Sequence, residues 1–228
     1  MIILAIETST MTGSIAIMSE TGLIAETTLN VKATHSEGLM IAIEKILNSS
    51  KYSLSDVDAF SVSIGPGSFT GLRVGLSTIK GLAYATGKPV VAVPTLDAFA
   101  SRLSMCSYLV CPMLDARKKE VYTALYRFND RTMVKIIEDT AISPEALLSH
   151  IKEKTVFLGD GAIIYRDLII EKLGDMALFA PLPMQIPSAA TVAEMGIKML
   201  KAGEVSEINS LVPRYIRKSE AELKWEKR

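Results

Sequence analysis

The sequence predicts an α/β protein made of two similar halves, each a mixed β-sheet covered by helices. Hydrophobic patterning gives the order β-β-β-α-β-α-β in the first half, and the second half begins the same order again. Each half also opens with an apolar strand that ends in an acid, Glu7 or Asp115, and then turns through a hairpin. A repeat of this length is too long for a solenoid and predicts two lobes, residues 1–105 and 106–228, facing each other across a cleft.

The first half is predicted to contain three strands, a helix, a strand, a second helix and a final strand. The segments "IILAIE", "GSIAIMS" and "LIAETTLN" have strand patterning, and a helix follows over residues 36–49. After the strand "AFSVSIG", Gly65 and Gly67 make a tight turn, and Ser68 is a natural N-cap for a helix over residues 68–86. The short strand "PVVAV" ends this half.

The second half repeats these elements with different loops. The segments "SYLVCPML", "VYTALYRF" and "TMVKIIED" are predicted strands, and "SPEALLSHI" is a helix opened by Ser143 and Pro144. A strand at "TVFLGDG" comes next, and apolar periodicity predicts helices over residues 162–173 and 188–203. A charged tail follows Pro213.

Composition excludes several classes of protein. Among 228 residues, 25 are basic and 25 acidic, so the chain lacks the global positive field that drives nucleic-acid binding. No apolar run approaches the ~20 residues of a membrane span, and the first residues lack the positive region and cleavage site of a signal peptide. We therefore expect a cytoplasmic protein without membrane contact. Cys106 and Cys111 are expected to be buried thiols, since no histidine cluster stands nearby to complete a metal site.

The first half also carries few charges, which is typical of a stable protein interface. Residues 1–114 hold 15 charged side chains and residues 115–228 hold 35. Each glycine inside the helix at 68–86 costs about 1 kcal/mol relative to alanine, so tight packing must offset the loss. That packing is either against a helix of the same chain, such as 36–49, or against a partner's helix. For a partner, the expected interface residues are Leu39, Ile43, Gly71, Leu72, Gly75, Thr78 and Leu82.

The two-lobed outline is similar to the actin-like superfamily of Hsp70, hexokinase and RNase H-like proteins (ASKHA). In that superfamily the acids that end the first strand of each lobe lie beside nucleotide phosphates, and a glycine turn such as "LGDGA" holds the adenosine. The likeness implies a relic nucleotide cleft at Glu7, Thr8, Ser9, Asp115, Gly159 and Gly161. The alternative is that Glu7 and Asp115 are turn residues facing solvent. Similarly, Arg117, Lys118 and Lys119 fit either a solvated hairpin tip or a contact with phosphate.

A set of longer motifs resembles the TsaB (YeaZ) family from end to end. These motifs are "ILAIETST", "HSEGL", "IGPGSFTGLRVGLSTIKGLA", "GKPVVAVPTLDAFA", "DARKKEVYTALY", "LGDGA" and "PRYIRKSEAE". The resemblance implies a non-catalytic subunit of the machinery that makes threonylcarbamoyladenosine at position 37 of tRNAs. It implies pairing with a catalytic paralogue, TsaD, work with a P-loop ATPase, TsaE, and a homodimer of the chain alone through the first two helices of the first lobe. Contact with tRNA is expected only through the complex.

The alternative function is a stand-alone enzyme, either a nucleotide hydrolase or a glycoprotease-like metallopeptidase. The catalytic paralogue has a His-x-x-x-His metal site, and alignment through "PVVAV" puts Thr95 and Phe99 at the matching positions. Neither side chain can replace an imidazole ligand. His35 and His150 each stand alone in the sequence. We therefore expect no catalytic residue, no metal and no cofactor in this chain.

Overall fold

The structure is a computed structural model that describes residues 1–30, 35–130 and 132–217. The chain forms two compact units, one of Met1–Arg102 with Ile186–Pro213 and one of Leu103–Gln185 with residues 214–217. The first break falls close to the expected boundary at residue 105. The expectation that all of 106–228 belongs to the second lobe is wrong, because the chain returns to the first unit at Ile186. The charged tail from residue 218 onward lies outside the described residues.

Strands and helices follow one another closely along the described chain. The strands are β1 (Ile2–Glu7), β2 (Thr12–Ser19), β3 (Gly22–Asn30), β4 (Ala59–Ser63), β5 (Val90–Val93), β6 (Leu109–Asp115), β7 (Val121–Asn129), β8 (Thr132–Ile142), β9 (Thr155–Leu158) and β10 (Ala177–Phe179). The α-helices are α1 (His35–Ser49), α2 (Phe69–Thr86), α3 (Thr95–Ser101), α4 (Pro144–Ser149), α5 (Asp160–Ile164), α6 (Arg166–Leu173) and α7 (Ala189–Lys201). Short 3₁₀ helices span Leu54–Asp56, Gly174–Met176 and Leu182–Met184.

The two sheets have the same topology, which confirms the predicted duplication. The first sheet has the order β3-β2-β1-β4-β5, and the second, read in the corresponding direction, has the order β8-β7-β6-β9-β10. In each sheet the first strand of the unit pairs antiparallel with its hairpin partner and parallel with the fourth strand. The sequence patterns did not predict α3 or β10, and the expected helix over 162–173 is divided at Tyr165 into α5 and α6.

Helices cover both faces of the first sheet. Leu4 and Ile6 of β1 lie in a core shared with α1 and α2, whereas Ile3 and Ala5 point to the opposite face and pack against α7. This second face explains why α7 belongs to the first unit. Its buried stripe meets the sheet, and the Ala189 N–H at its start donates to Ser14 Oγ of β2 at 2.8 Å.

The glycines of α2 differ in their surroundings. A Cβ atom on Gly71 would lie 2.0 Å from the Thr8 carbonyl oxygen, and one on Gly75 would lie 2.3 Å from Thr8 Oγ1. Both glycines therefore admit the loop after β1 of the same chain, not a partner's helix. Gly81 has no such neighbour in the described ranges, since its Cβ would meet nothing there within 4 Å. Ser68 caps α2 as predicted, because its Oγ accepts from the Gly71 N–H.

The expected interface residues are consequently poor candidates for direct partner contact. Leu39, Ile43, Leu72 and Leu82 lie in the core of the first unit, and Thr78 is half-buried. Their apolar character is explained by packing within the chain, which corrects the expectation that this arc meets a partner.

The two thiols have different environments. Cys111 is fully buried in the second unit, as expected, and burial raises the pKa of its thiol to about 12. Cys106 is half-buried, so the expectation of a buried thiol is wrong for this residue. No helix within the described ranges is long and apolar enough to cross a membrane.

Alanine substitutions at two glycines of α2 should change stability in opposite directions. Gly81→Ala should stabilise the chain by up to about 1 kcal/mol, because alanine is the better helix former and the added methyl has room. Gly71→Ala should destabilise it by about 1–3 kcal/mol or more, because the methyl would overlap a backbone oxygen. Thermal unfolding measures both changes, because each kcal/mol shifts the midpoint by about 2–4 °C in a chain of this size. Equal midpoints for the two variants would contradict the packing described.

Candidate functional site

In the first unit, β1 ends in three buried polar residues. Glu7, Thr8 and Ser9 are each at most 2% exposed. The Ser9 N–H donates to Glu7 Oε1, and the hydroxyls of Ser9 and Ser63 face the same carboxyl group. Burial is the largest influence on Glu7 and raises the pKa of its carboxyl group above the ordinary 4.5, although the nearby hydroxyls and the Ser9 N–H partly oppose the shift.

Several buried oxygens at the end of β1 and along β4 have no hydrogen-bond partner among the described residues. They are Glu7 Oε2, Thr8 Oγ1, Ser9 Oγ, Ser61 Oγ and Ser63 Oγ. Parallel pairing of β1 with β4 brings the ends of the two strands side by side, so Glu7 and Ser63 are neighbours. Buried polar groups are normally paired, and an unpaired one costs roughly 1–3 kcal/mol.

This arrangement differs from both expectations for the end of β1, which were a relic nucleotide cleft and a turn that faces solvent. Glu7 is not a turn residue facing solvent, and the buried side chains of Glu7, Thr8 and Ser9 are closed to a nucleotide in this structure. The loop is covered by the connection between β4 and α2. A Cβ on Gly67 would lie 2.4 Å from the Ser9 carbonyl oxygen, and the Ser68 N–H donates to that oxygen at 2.6 Å.

In the second unit, the corresponding acid is partly exposed and has a carboxylate neighbour. The Asp115 N–H at the end of β6 donates to Asp160 Oδ1 at 3.0 Å, and the Gly161 N–H donates to the same oxygen at 2.8 Å. Burial raises the pKa of Asp160, and the two backbone donors partly offset the shift. Asp160 lies within "LGDGA" but is not among the residues predicted for the cleft. Its position at the start of a helix is a detectable signal, since carboxylates are favoured there.

The two glycines expected at a nucleotide cleft have backbone roles in the second unit. Gly159 has a φ angle of 111°, a backbone conformation that residues with a side chain rarely adopt. Its N–H donates to Gln185 Oε1. A Cβ on Gly161 would lie 2.9 Å from the Met113 carbonyl oxygen, so glycine permits this loop to lie against β6.

The residues that replace the histidines of a metallopeptidase have structural roles. Thr95 Oγ1 accepts from the Gly65 N–H at 3.0 Å, and the Thr95 N–H donates to the Gly65 carbonyl oxygen. Phe99 is buried within α3. His150 is exposed and its Nδ1 lies 2.7 Å from the Ala146 carbonyl oxygen, while the side chain of His35 lies outside the described part. Over the described ranges, no three His, Cys, Asp or Glu side chains are grouped as a metal site.

Glu7→Gln should flatten the pH dependence of stability. The pKa of Glu7 is raised in the folded state. Its contribution to the free energy of unfolding is therefore most favourable below the unfolded-state pKa near 4.5, and it is lost as pH rises through the folded-state pKa. The glutamine should therefore match or exceed the parent's thermal midpoint at pH 8 and show a smaller fall between pH 5 and pH 8. Glu204→Gln, at an exposed position of the same unit, controls for the lost charge. If Glu7→Gln kept the parent's pH dependence of thermal stability, the raised pKa of Glu7 would be refuted.

Comparison with known proteins gives the same architecture along nearly the whole chain. A TsaB of Bacillus subtilis is 33% identical over 99% of this chain and 98% of its own length. The structure of YeaZ from Pseudomonas aeruginosa superposes with a TM-score of 0.79 at 27% identity, covering 94% of this chain and 99% of that one. A ROK hexokinase from Thermus thermophilus, at 12% identity, covers 87% of this chain and 99% of its own with a TM-score of 0.50. The hexokinase likeness shows the fold alone and confirms the predicted actin-like class.

The family comparison agrees with these relatives. Residues 22–225 match the model of the family described as TsaD, tRNA N6-adenosine threonylcarbamoyltransferase. The curated relatives matched along nearly the full length, from Bacillus subtilis and Escherichia coli among others, are tRNA threonylcarbamoyladenosine biosynthesis proteins named TsaB. The chain belongs to the TsaB (YeaZ) family, within the wider family of the TsaD domain.

Proposed function

We propose that this chain is a non-catalytic subunit of the machinery that forms N6-threonylcarbamoyladenosine at position 37 of tRNAs. The observation that carries the proposal is the similarity to TsaB proteins over nearly the full length of both chains. Its place of action is the cytoplasm, where tRNA is modified.

The proposed main partner is the catalytic paralogue TsaD, with the ATPase TsaE as a third component. The match of residues 22–225 to a family named for the transferase supports common descent of the two subunits. Related chains of one fold commonly pair through equivalent surfaces, as identical chains do in symmetric dimers. The same surface would form a homodimer when the chain is alone.

The exposed sides of α1 and α2 are the surface that best fits such pairing. Both helices contribute to one core, and their outer sides carry the exposed apolar side chains of Met40, Ile41 and Tyr84. Gly38 and Gly81 lie on these helices, and a Cβ on either would meet nothing within 4 Å among the described residues. Unlike Gly71 and Gly75, these two glycines have no close neighbour in the described part of the chain to offset their cost of about 1 kcal/mol each. Close approach by a partner's helix would supply that compensation.

A supporting role, without chemistry of its own, fits the buried state of the β1 end. Glu7 is enclosed, and Thr95 and Phe99 are committed to the packing of α3 and its preceding loop. The competing function is a nucleotide hydrolase or metallopeptidase acting alone. Turnover of ATP or of peptides by the purified chain without the paralogue would favour that alternative.

Gly81→Leu should weaken pairing with the paralogue strongly, and Gly81→Ala should weaken it much less. Leucine would place a large side chain where a partner's backbone must approach, and such overpacking costs about 1–3 kcal/mol, or roughly 5- to 150-fold in affinity. Titration of labelled paralogue gives the dissociation constants. Reconstitution with TsaD, TsaE, tRNA, ATP and threonylcarbamoyl-adenylate as the donor gives the yield of modified adenosine, which should fall with Gly81→Leu.

Thermal unfolding of both variants separates lost pairing from lost folding. Since Gly81 has free space around it, both should unfold at or above the parental midpoint. If folded Gly81→Leu paired normally with the paralogue, the partner would bind a surface other than the one around Gly81. A wild-type chain that neither binds the paralogue nor supports the modification would overturn the proposed function itself.

A further inference from the structure

The hairpin between β6 and β7 contains a backbone conformation that is unusual for its residues. Arg117, Lys118 and Lys119 have φ angles of 62°, 54° and 62°, so three consecutive residues adopt the left-handed conformation. None of them is glycine or asparagine, the residues that adopt it most easily. Each left-handed residue costs roughly 1–2 kcal/mol, and such strain persists only where the surrounding structure enforces it.

Hydrogen bonds hold this loop from both sides. The Ala116 N–H donates to the Glu120 carbonyl oxygen and the Glu120 N–H donates to the Arg117 carbonyl oxygen, each at 3.0 Å. The Arg117 N–H donates to Asp115 Oδ1 at 2.9 Å. From the C-terminal segment, Arg217 donates to Glu120 Oε2 and to the Ala116 carbonyl oxygen, both at 2.6 Å. The loop is therefore set in one conformation before any ligand binds.

The basic and acidic side chains of the hairpin differ in exposure. The basic side chains are exposed, with Arg117 at 74%, and Lys118 and Lys119 also lie on the surface. The carboxylates of Asp115 and Glu120 are only 18% and 36% exposed and are bound to Arg117 and Arg217. Asp160 lies deeper and accepts backbone N–H groups. The outward side of the hairpin is thus cationic although the whole chain has no net charge.

We propose that residues 117–119 form a contact for the phosphate backbone of RNA. An exposed lysine or arginine set in a fixed loop binds phosphate without reading sequence, and it gains free energy by releasing counterions. RNA is the expected polyanion because this inference rests on the proposed role in tRNA modification. The contact is local, so it adds to the affinity of the assembled complex and leaves the isolated chain a weak binder at physiological salt.

The experiment uses the isolated full-length chain and tRNA at salt concentrations from 20 to 200 mM, chosen because low salt enhances electrostatic binding. Lys118→Gln/Lys119→Gln removes two cations. The control, Lys152→Gln/Lys172→Gln, removes two exposed cations elsewhere in the second unit. Loss of two phosphate contacts should reduce the slope of log K against log salt by about 1.4–1.8 and weaken binding at 50 mM salt roughly tenfold or more. The control should behave as the parent, and all three should share one thermal midpoint.

Three outcomes would overturn the inference. The first is an unchanged slope in the hairpin variant, and the second is wild-type binding too weak to measure at 20 mM salt. The third is competition by polyglutamate as effective as by tRNA of equal charge, which would identify an acidic protein as the partner. Because the paralogue is absent, these results are independent of the pairing test. In the reconstituted reaction, the hairpin variant should raise the KM for tRNA with little change in kcat, while pairing with the paralogue is retained.

Discussion

The close contact between the loop after β1 and the start of α2 is the constraint on which the first unit depends. Gly67, Gly71 and Gly75 lie so near Thr8 and Ser9 that a methyl group on any of them would overlap the loop. This contact buries the end of β1, fixes where α2 leaves the sheet, and keeps Glu7 away from solvent. The unusual number of glycines in α2 is mostly a consequence of this one approach, which offsets their helix-propensity cost through packing.

The second unit has the same topology, but the loop after its first strand differs in exposure and charge. Gly161 again permits a strand–helix connection to lie against the first strand of the unit. Here, however, the hairpin that follows β6 extends outward and is held from beneath by Arg217. Duplication has thus given two loops at equivalent positions. One is enclosed, and the other is exposed and basic.

These differences suggest a division of tasks within one chain. In the proposed function, the low charge of the first unit and the open glycines of α1 and α2 serve pairing with another subunit. The second unit carries most of the charged side chains, and its basic hairpin is the proposed contact for a polyanion. Neither task requires a catalytic group, because positioning a partner and its substrate depends on surface shape and charge.

The sequence by itself determined most of the order of elements, the duplication, the Ser68 and Ser143 caps and the family, because these depend on local patterning and motifs. It could not assign the last helix to the first unit, since an amphipathic stripe does not identify which sheet it covers. Nor could it distinguish Gly71 and Gly75 from Gly81, because a glycine has no side chain to indicate what approaches it. The burial of Glu7 and the left-handed loop of Arg117–Lys119 likewise came only from tertiary structure, where contacts between distant residues decide exposure and backbone conformation.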